Sequence, residues 1–489
     1  MSRGPTGSDP TGSEPTRGAG PRGPGARRSD RPEERGCPLH SDIPGAGPVG
    51  LRSLFRGSRV PGAEPEAGRS GSVGLAGVGG AGIDRTGLER TGVERTGVDL
   101  AGADRTGAAR IPRVWRIRPH GAAREVLRRR GGTTQAGFTA EAIPSGRLRR
   151  HPILLSDGPG HDAQRRALGR FFSPQHIERS SAATMEREAV RLVGEAVREG
   201  GCDLGQLALL YSVAVSREIV GLTASPLEAM SHRLVRLQRQ PGVDLTRPRW
   251  GRTLPQWALA AARGLGPLAA FHLRDVRPAI RRRRRHPADD VISHLLDQGA
   301  RGTDILVECV TYASAGMITT REFLVMACWH LLDDETLRAE FLHGDREEKA
   351  AILREIIRLE PVVGHLYRRA REPFDVPGCP ATADVRPGDL IDVHVRDANA
   401  DAQVMGEDPL EIRPRRPLPR GVSPAGLSFG AGPHRCPGEH LAITESAVLL
   451  EHLLAAAPRL VRPPEIAWDD VVAGYRVHGM RVEFPARGA

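Results

Sequence analysis

The residues best equipped for chemistry lie in one loop, Phe429-Gly430-Ala431-Gly432-Pro433-His434-Arg435-Cys436-Pro437-Gly438. Gly430, Gly432 and Gly438 let the backbone turn sharply and approach a flat surface without an intervening side chain. Directly behind them Leu441, Ala442, Val448, Leu449 and Leu453 mark an apolar face at helical spacing, and Pro437 suits the first turn of that helix. Cys436 then sits at a helix N-terminus, where free N–H groups and the macrodipole favour a thiolate and predict a lowered thiol pKa. A deprotonated sulfur on a backbone that hugs a plane is what ligation of a haem iron requires.

Three further constellations accompany the loop. In Asp157-Gly-Pro-Gly-His161-Asp-Ala-Gln-Arg165-Arg166, His161 and Arg165 stand four residues apart, so one helix face offers two cationic donors to the same anion. Within the long periodic segment from about Thr303 to Leu332, capped by Thr303 or Asp304, Ala315-Gly316 leaves room for a ligand against the backbone. The Thr319 hydroxyl can turn toward that space or bond back to a carbonyl. Glu355 and Arg358, three apart on another helix, can form a charge-assisted pair.

Phe-Gly-x-Gly-x-His-x-Cys-x-Gly resembles the haem-binding signature of the cytochrome P450 superfamily, and the other landmarks follow in that family's order over about residues 111 to 486. The resemblance implies a mainly α fold with a minor β region and haem b as cofactor. Cys436 is then the iron ligand and Phe429, Gly430, His434 and Gly438 its cofactor-binding surroundings. His161, Arg165 and Arg368, with Arg369 as the alternative to the last, are partners of the haem propionates. It also implies that Ala315, Gly316 and Thr319 lie on a central helix across the distal haem face, with Thr319 helping to deliver protons. Glu355 and Arg358 are joined in a network by Arg416 of the segment Asn399–Arg416. Two positions depart from the family: Ile318 stands where an acid usually precedes the threonine, and Ala400 where an arginine usually separates Asn399 and Asp401. Glu322, one turn beyond Ile318, is the candidate substitute for the acid.

The implied activity is insertion of one oxygen atom from O2 into a small apolar organic substrate, as in secondary metabolism. Its electrons come from a ferredoxin or flavodoxin with its reductase, docking on a basic surface near Arg435. The alternatives are a catalyst of oxidative coupling or peroxide-driven oxidation, and a truncated relative with weak haem binding.

The rest of the chain must position these groups. Residues 1–110 are dense in Gly, Pro, Ser, Thr and Arg and carry a five-residue echo from Gly82, so they read as a disordered tail before a haem domain over 111–489. Val114–Ile117 alternates like a strand and Ala122–Arg130 reads as a helix. From Ile177 to about Leu296 the pattern is helical, broken at Gly200-Gly201, Pro226, Pro241 and Pro278, and by resemblance this stretch partly lines an apolar substrate pocket. Arg281–Arg285 reads as a solvated helix end, and His394 as a structural strand residue. The net charge of +11 is nearly all arginine, since Lys349 is the single lysine. Scattered basic residues and 4% aromatics argue against nucleic-acid binding. Six separated cysteines without a C-x-x-C pair argue against a disulfide framework or a cysteine-based zinc site and point to the cytoplasm. No apolar run is long enough for a membrane span.

Overall fold

Most of the apolar periodicities become helices in the computed structural model, which describes residues 113–137, 152–241, 245, 252–373, 375, 385–469 and 472–485. The tail assignment for residues 1–110 lies outside the described residues. The early strand and helix fall at β1 (Val114–Ile117) and α1 (His120–Arg128). Strand β1 runs parallel to β5 (Leu390–His394), which pairs antiparallel with β4 (His365–Ala370), and β4 carries β2 (Thr133–Gln135) on its other edge. Buried Asp389 fixes the β1–β5 register by accepting from the Arg113 N–H at 2.9 Å and Trp115 Nε1 at 2.8 Å. Two smaller sheets complete the β region. The first orders β3 (Gly201–Asp203), β9 (Arg481–Glu483) and β6 (Arg459–Arg462), and the second is the hairpin β7 (Glu465–Asp469) and β8 (Gly474–His478).

The core is helical. Helix α3 (Leu204–Val220), capped by Asp203 and ended by Gly221 at φ 95°, buries most of its surface against a long central helix. That central helix begins as α5 (Gly302–Tyr312), widens into a π-helical segment over Ala313–Ile318 and continues as α6 (Thr319–Asp333). Its first residue is Gly302, and Asp304 reaches back to accept from the Arg301 N–H at 3.0 Å, so neither Thr303 nor Asp304 is the cap residue. Helix α7 (Arg346–Leu359) starts with a reciprocal capping box between Asp345 and Glu348. Helix α8 (Glu439–Ala455) follows the cysteine loop and packs against α7 and the central helix.

One expected break is absent. Pro278 sits in the first turn of a helix over Arg277–Arg285 that continues from α4 (Leu254–Phe271) through a π-helical turn, His272–Val276. The wider turn accommodates the residue that cannot donate, a local adjustment of the kind that tolerates Pro within helices. The arginine run Arg281–Arg285 ends this helix, with Arg283 paired to Asp290, the cap of the next helix.

Candidate functional site

The glycines of the cysteine loop divide their work. Gly430 and Gly432 adopt φ 69° and 68°, the left-handed region that favours glycine. A Cβ at Gly432 would fall 2.4 Å from the Leu127 carbonyl oxygen and 2.6 Å from the Arg128 Cα, so this glycine serves contact with α1 rather than with a flat ligand. Gly438 has an ordinary φ of −87°, and an added Cβ would meet only the Cys436 Sγ, at 3.8 Å. Pro437 lies one residue before the cap Gly438, outside the first turn of α8, because the helix begins at Glu439.

Cys436 is fixed by its own N–H, which donates to the Phe429 carbonyl at 2.7 Å. Its side chain is accessible to water, yet protein surrounds it so closely that burial pushes the thiol pKa up. The Gly438 N–H and the Arg165 charge act in the opposite direction and do not prevail. The expected lowering is therefore corrected: desolvation outweighs the helix terminus in the protein alone.

Cationic groups gather around this loop. From α2 (Pro159–Gly169), His161 is buried and its ring lies 4.4 Å from that of His434, while Arg165 donates to the Arg435 carbonyl. His434 Nε2 is 2.9 Å from Asp157 Oδ1, and the other Asp157 oxygen accepts from the Gln135 N–H at 2.8 Å. Burial opposes ionisation of Asp157, but these hydrogen bonds and Arg368 hold its pKa below the usual carboxylate value. Asp157 belongs to the site although the sequence reading gave it no role. Its place at the start of the His161 segment was the available signal.

Arg368 and Arg369 are separated by strand alternation. Leu366 and Arg368 point to the cysteine loop: Leu366 Cδ1 is 3.8 Å from the Cβ position of Gly430, and Arg368 interacts electrostatically with Asp157. Arg369 instead donates to the Gly388 carbonyl. Arg368 is 4% exposed, and burial lowers its pKa to about 10. Its one hydrogen bond among the described residues goes to the Tyr367 carbonyl at 2.8 Å. A buried guanidinium with most of its donors unused fits an anionic ligand such as a carboxylate. Together with Cys436, the donor set suits a haem carrying propionates.

The central helix carries the small residues and the threonine of the second constellation. Ala315 is exposed within an otherwise packed helix, and a Cβ on Gly316 would meet only the Ser216 Oγ, at 3.8 Å. Thr319 Oγ1 donates to the Ala315 carbonyl at 2.5 Å, and Ser212 Oγ donates to the Met317 carbonyl at 2.8 Å. The i+5 spacing of this segment is what leaves carbonyls available for side-chain donors. Ile318 is packed into the core. Glu322 does not replace the missing acid: one oxygen takes Arg321 at 2.9 Å and the other the Val477 N–H at 2.6 Å. Burial pushes its pKa up, and both contacts hold it toward β8.

Beneath the loop lies a buried charge network. Arg358 is 0% exposed and makes two hydrogen bonds to Glu355, both at 2.7 Å, with three more to the carbonyls of Asn399, Pro409 and Glu411. Arg416 adds a bond to Glu355 Oε1 at 3.0 Å and donates to the carbonyls of Met405, Glu407, Asp408 and Glu411. Asn399 ties this network to the cysteine loop. Its amide donates to the Arg358 carbonyl at 2.9 Å and Ser428 Oγ at 2.8 Å, and its oxygen accepts from the Leu427 N–H at 2.6 Å. Asn399→Ala takes this partner from the Arg358 carbonyl and the Leu427 N–H and should cost about 1–3 kcal/mol. Urea unfolding checks this, and an unchanged midpoint contradicts it.

Known proteins share sequence and fold with this chain. The family model "Cytochrome P450" matches residues 350–456. Erythromycin C-12 hydroxylase of Saccharopolyspora erythraea is 28% identical over 356 residues, covering 71% of this chain and 83% of that protein. Cytochrome P450(MEG) of Priestia megaterium is 27% identical over 329 residues, covering 65% and 74%. Among solved structures, a mutant of P450 EryK in complex with erythromycin B matches with TM-score 0.62 and 24% identity, over 80% of this chain and 95% of that one. OxyD, involved in the biosynthesis of vancomycin-type antibiotics, matches with TM-score 0.59 and 23% identity, over 77% and 90%.

Proposed function

For a chain that belongs to the cytochrome P450 superfamily, has its fold and takes haem as cofactor, we propose a monooxygenase that oxidises a small apolar organic substrate with electrons from a ferredoxin or flavodoxin and its reductase. The observation that carries this reading is Cys436, a desolvated sulfur beside the Arg165 charge, in a loop whose His434 is flanked by His161, Asp157 and Arg368. Cys436 is the residue that would hold the haem iron. Arg368, His161, His434 and Arg165 are the proposed partners of the propionates, with Phe429, Gly430 and Gly438 shaping the loop beneath. Haem with thiolate ligation supplies oxygen activation, the thiolate's electron donation favouring O–O cleavage.

The protein's own tasks are positional. The Glu355–Arg358–Arg416 network and Asn399 hold the cysteine loop. Ala315 and Gly316 leave space above it. The Thr319 hydroxyl, resting on the Ala315 carbonyl, can release that bond to donate toward the same space. An apolar Ile318 and an engaged Glu322 leave no carboxylate beside Thr319 on that turn, so water or a substrate group brings the proton. This last feature favours, as a second reading, peroxide-driven oxidation or oxidative coupling. Arg435, exposed and paired among the described residues with Glu439, is the proposed contact for an acidic redox partner, because such surface pairs are weak and exchange readily.

Turnover with a surrogate ferredoxin system and NADH tests the first reading, and activity with peroxide alone the second. Thr319→Ala should lower product formed per electron consumed; unchanged coupling removes the threonine from proton handling. Ile318→Asp should raise oxygen-driven turnover, and no change would mean the missing acid is irrelevant.

A further inference from the structure

We propose that His365, Asp392 and His394 form a binding site for a zinc-type divalent metal ion, on the face of the four-stranded sheet that points away from the cysteine loop. The register of β4 and β5 creates the cluster. His365 pairs directly with His394, and Asp392 lies two residues earlier on the same face. Alternate residues of β4, Leu366 and Arg368, point to the cysteine loop, so the haem site and this cluster occupy opposite faces.

The geometry suits a metal. Ligand atoms of the three side chains lie within 4.8 Å of one another. His365 Nδ1 is 2.8 Å from Asp392 Oδ1, and His394 Nε2 is 3.2 Å from Asp392 Oδ2. Donors around a tetrahedral zinc with bonds of about 2.0–2.1 Å are separated by roughly 3.3 Å, so small side-chain rotations suffice. The second nitrogen of His394 already faces a carboxylate, with Nδ1 3.5 Å from Asp397 Oδ2, and Arg118 Nε lies 3.2 Å from that same oxygen. A ligating histidine whose other N–H meets a carboxylate is the usual supporting arrangement of a metal site.

Two imidazoles and one carboxylate select zinc or a similar transition metal over calcium or magnesium, which prefer oxygen ligands. The side chains of His365, Asp392 and His394 are 16%, 7% and 18% exposed, which leaves an entry path from solvent. A bound ion would clasp β4 to β5 and steady the strand that carries Arg368. Without a cation the same groups satisfy one another as ion pairs, and the test must separate these states.

The test uses the haem-loaded protein, dialysed against EDTA, then equilibrated with zinc chloride and washed. Elemental analysis should find one zinc per chain, and zinc should raise the thermal midpoint. The double variant His365→Phe/His394→Gln should bind zinc at least tenfold more weakly and lose that rise, while keeping its haem spectrum. If the double variant does not fold, His365→Ala alone serves and should show the same loss. Failure of the wild type to retain stoichiometric zinc overturns the proposal and leaves an ion-paired patch. An equal zinc-induced rise in wild type and variant overturns it as well. None of these outcomes bears on haem binding, which is read separately from the spectrum.

Discussion

Cys436→Ser is expected to abolish the red-shifted Soret band that the reduced protein gives with carbon monoxide, and to reduce oxygen-driven turnover by more than about 100-fold. That figure is the upper end for disturbing only the groups that support a metal ligand, and loss of the ligand itself should exceed it. The fold should survive. The loop's backbone bonds, Cys436 N–H to Phe429 and Gly430 N–H to Leu427 at 2.8 Å, do not involve the sulfur. Burial raises the thiol pKa in the protein alone, but a metal cation deprotonates a coordinating thiol outright. The raised value is therefore no obstacle to ligation. A variant that keeps the band would remove Cys436 as the ligand, and far-UV circular dichroism distinguishes this from unfolding.

Arg358→Ala should be strongly destabilising. It removes five hydrogen bonds at a fully buried position and leaves Glu355, itself buried, facing only Arg416 and the Arg413 N–H. Breaking a buried pair from one side costs about 3–5 kcal/mol, against a total stability of about 5–15 kcal/mol for a typical protein. Soluble yield and haem content should both collapse. Arg358→Lys keeps the charge but not the planar fork, so it should recover only part of the loss. A urea midpoint for Arg358→Ala that implies less than about 1 kcal/mol would show that the network contributes little.

The difference between the two arginines at β4 shows how the sequence was limited. Arg368 and Arg369 are chemically identical and adjacent. Only the strand's pairing with β5 decides that Arg368 turns to the cysteine loop while Arg369 reaches Gly388. Glu322 illustrates the same limit. Helical spacing put it one turn from Ile318, but spacing is blind to β8, whose Val477 N–H draws the carboxylate away.

Local rules were enough for what is local in the chain. The cysteine loop, the helix behind it, the Glu355–Arg358 spacing and the small residues before Thr319 are all legible one after another, because turn chemistry and helical period act over a few residues. The tertiary structure alone decided the rest. It set the balance of burial against the helix terminus at Cys436, the entry of Asp157 between His434 and Gln135, and Asn399 as the link from the charge network to the loop. It also brought His365 opposite His394. Each of these depends on groups far apart in the chain meeting in a poorly solvated interior. There desolvation and hydrogen-bond partners, which no spacing encodes, determine charge and orientation.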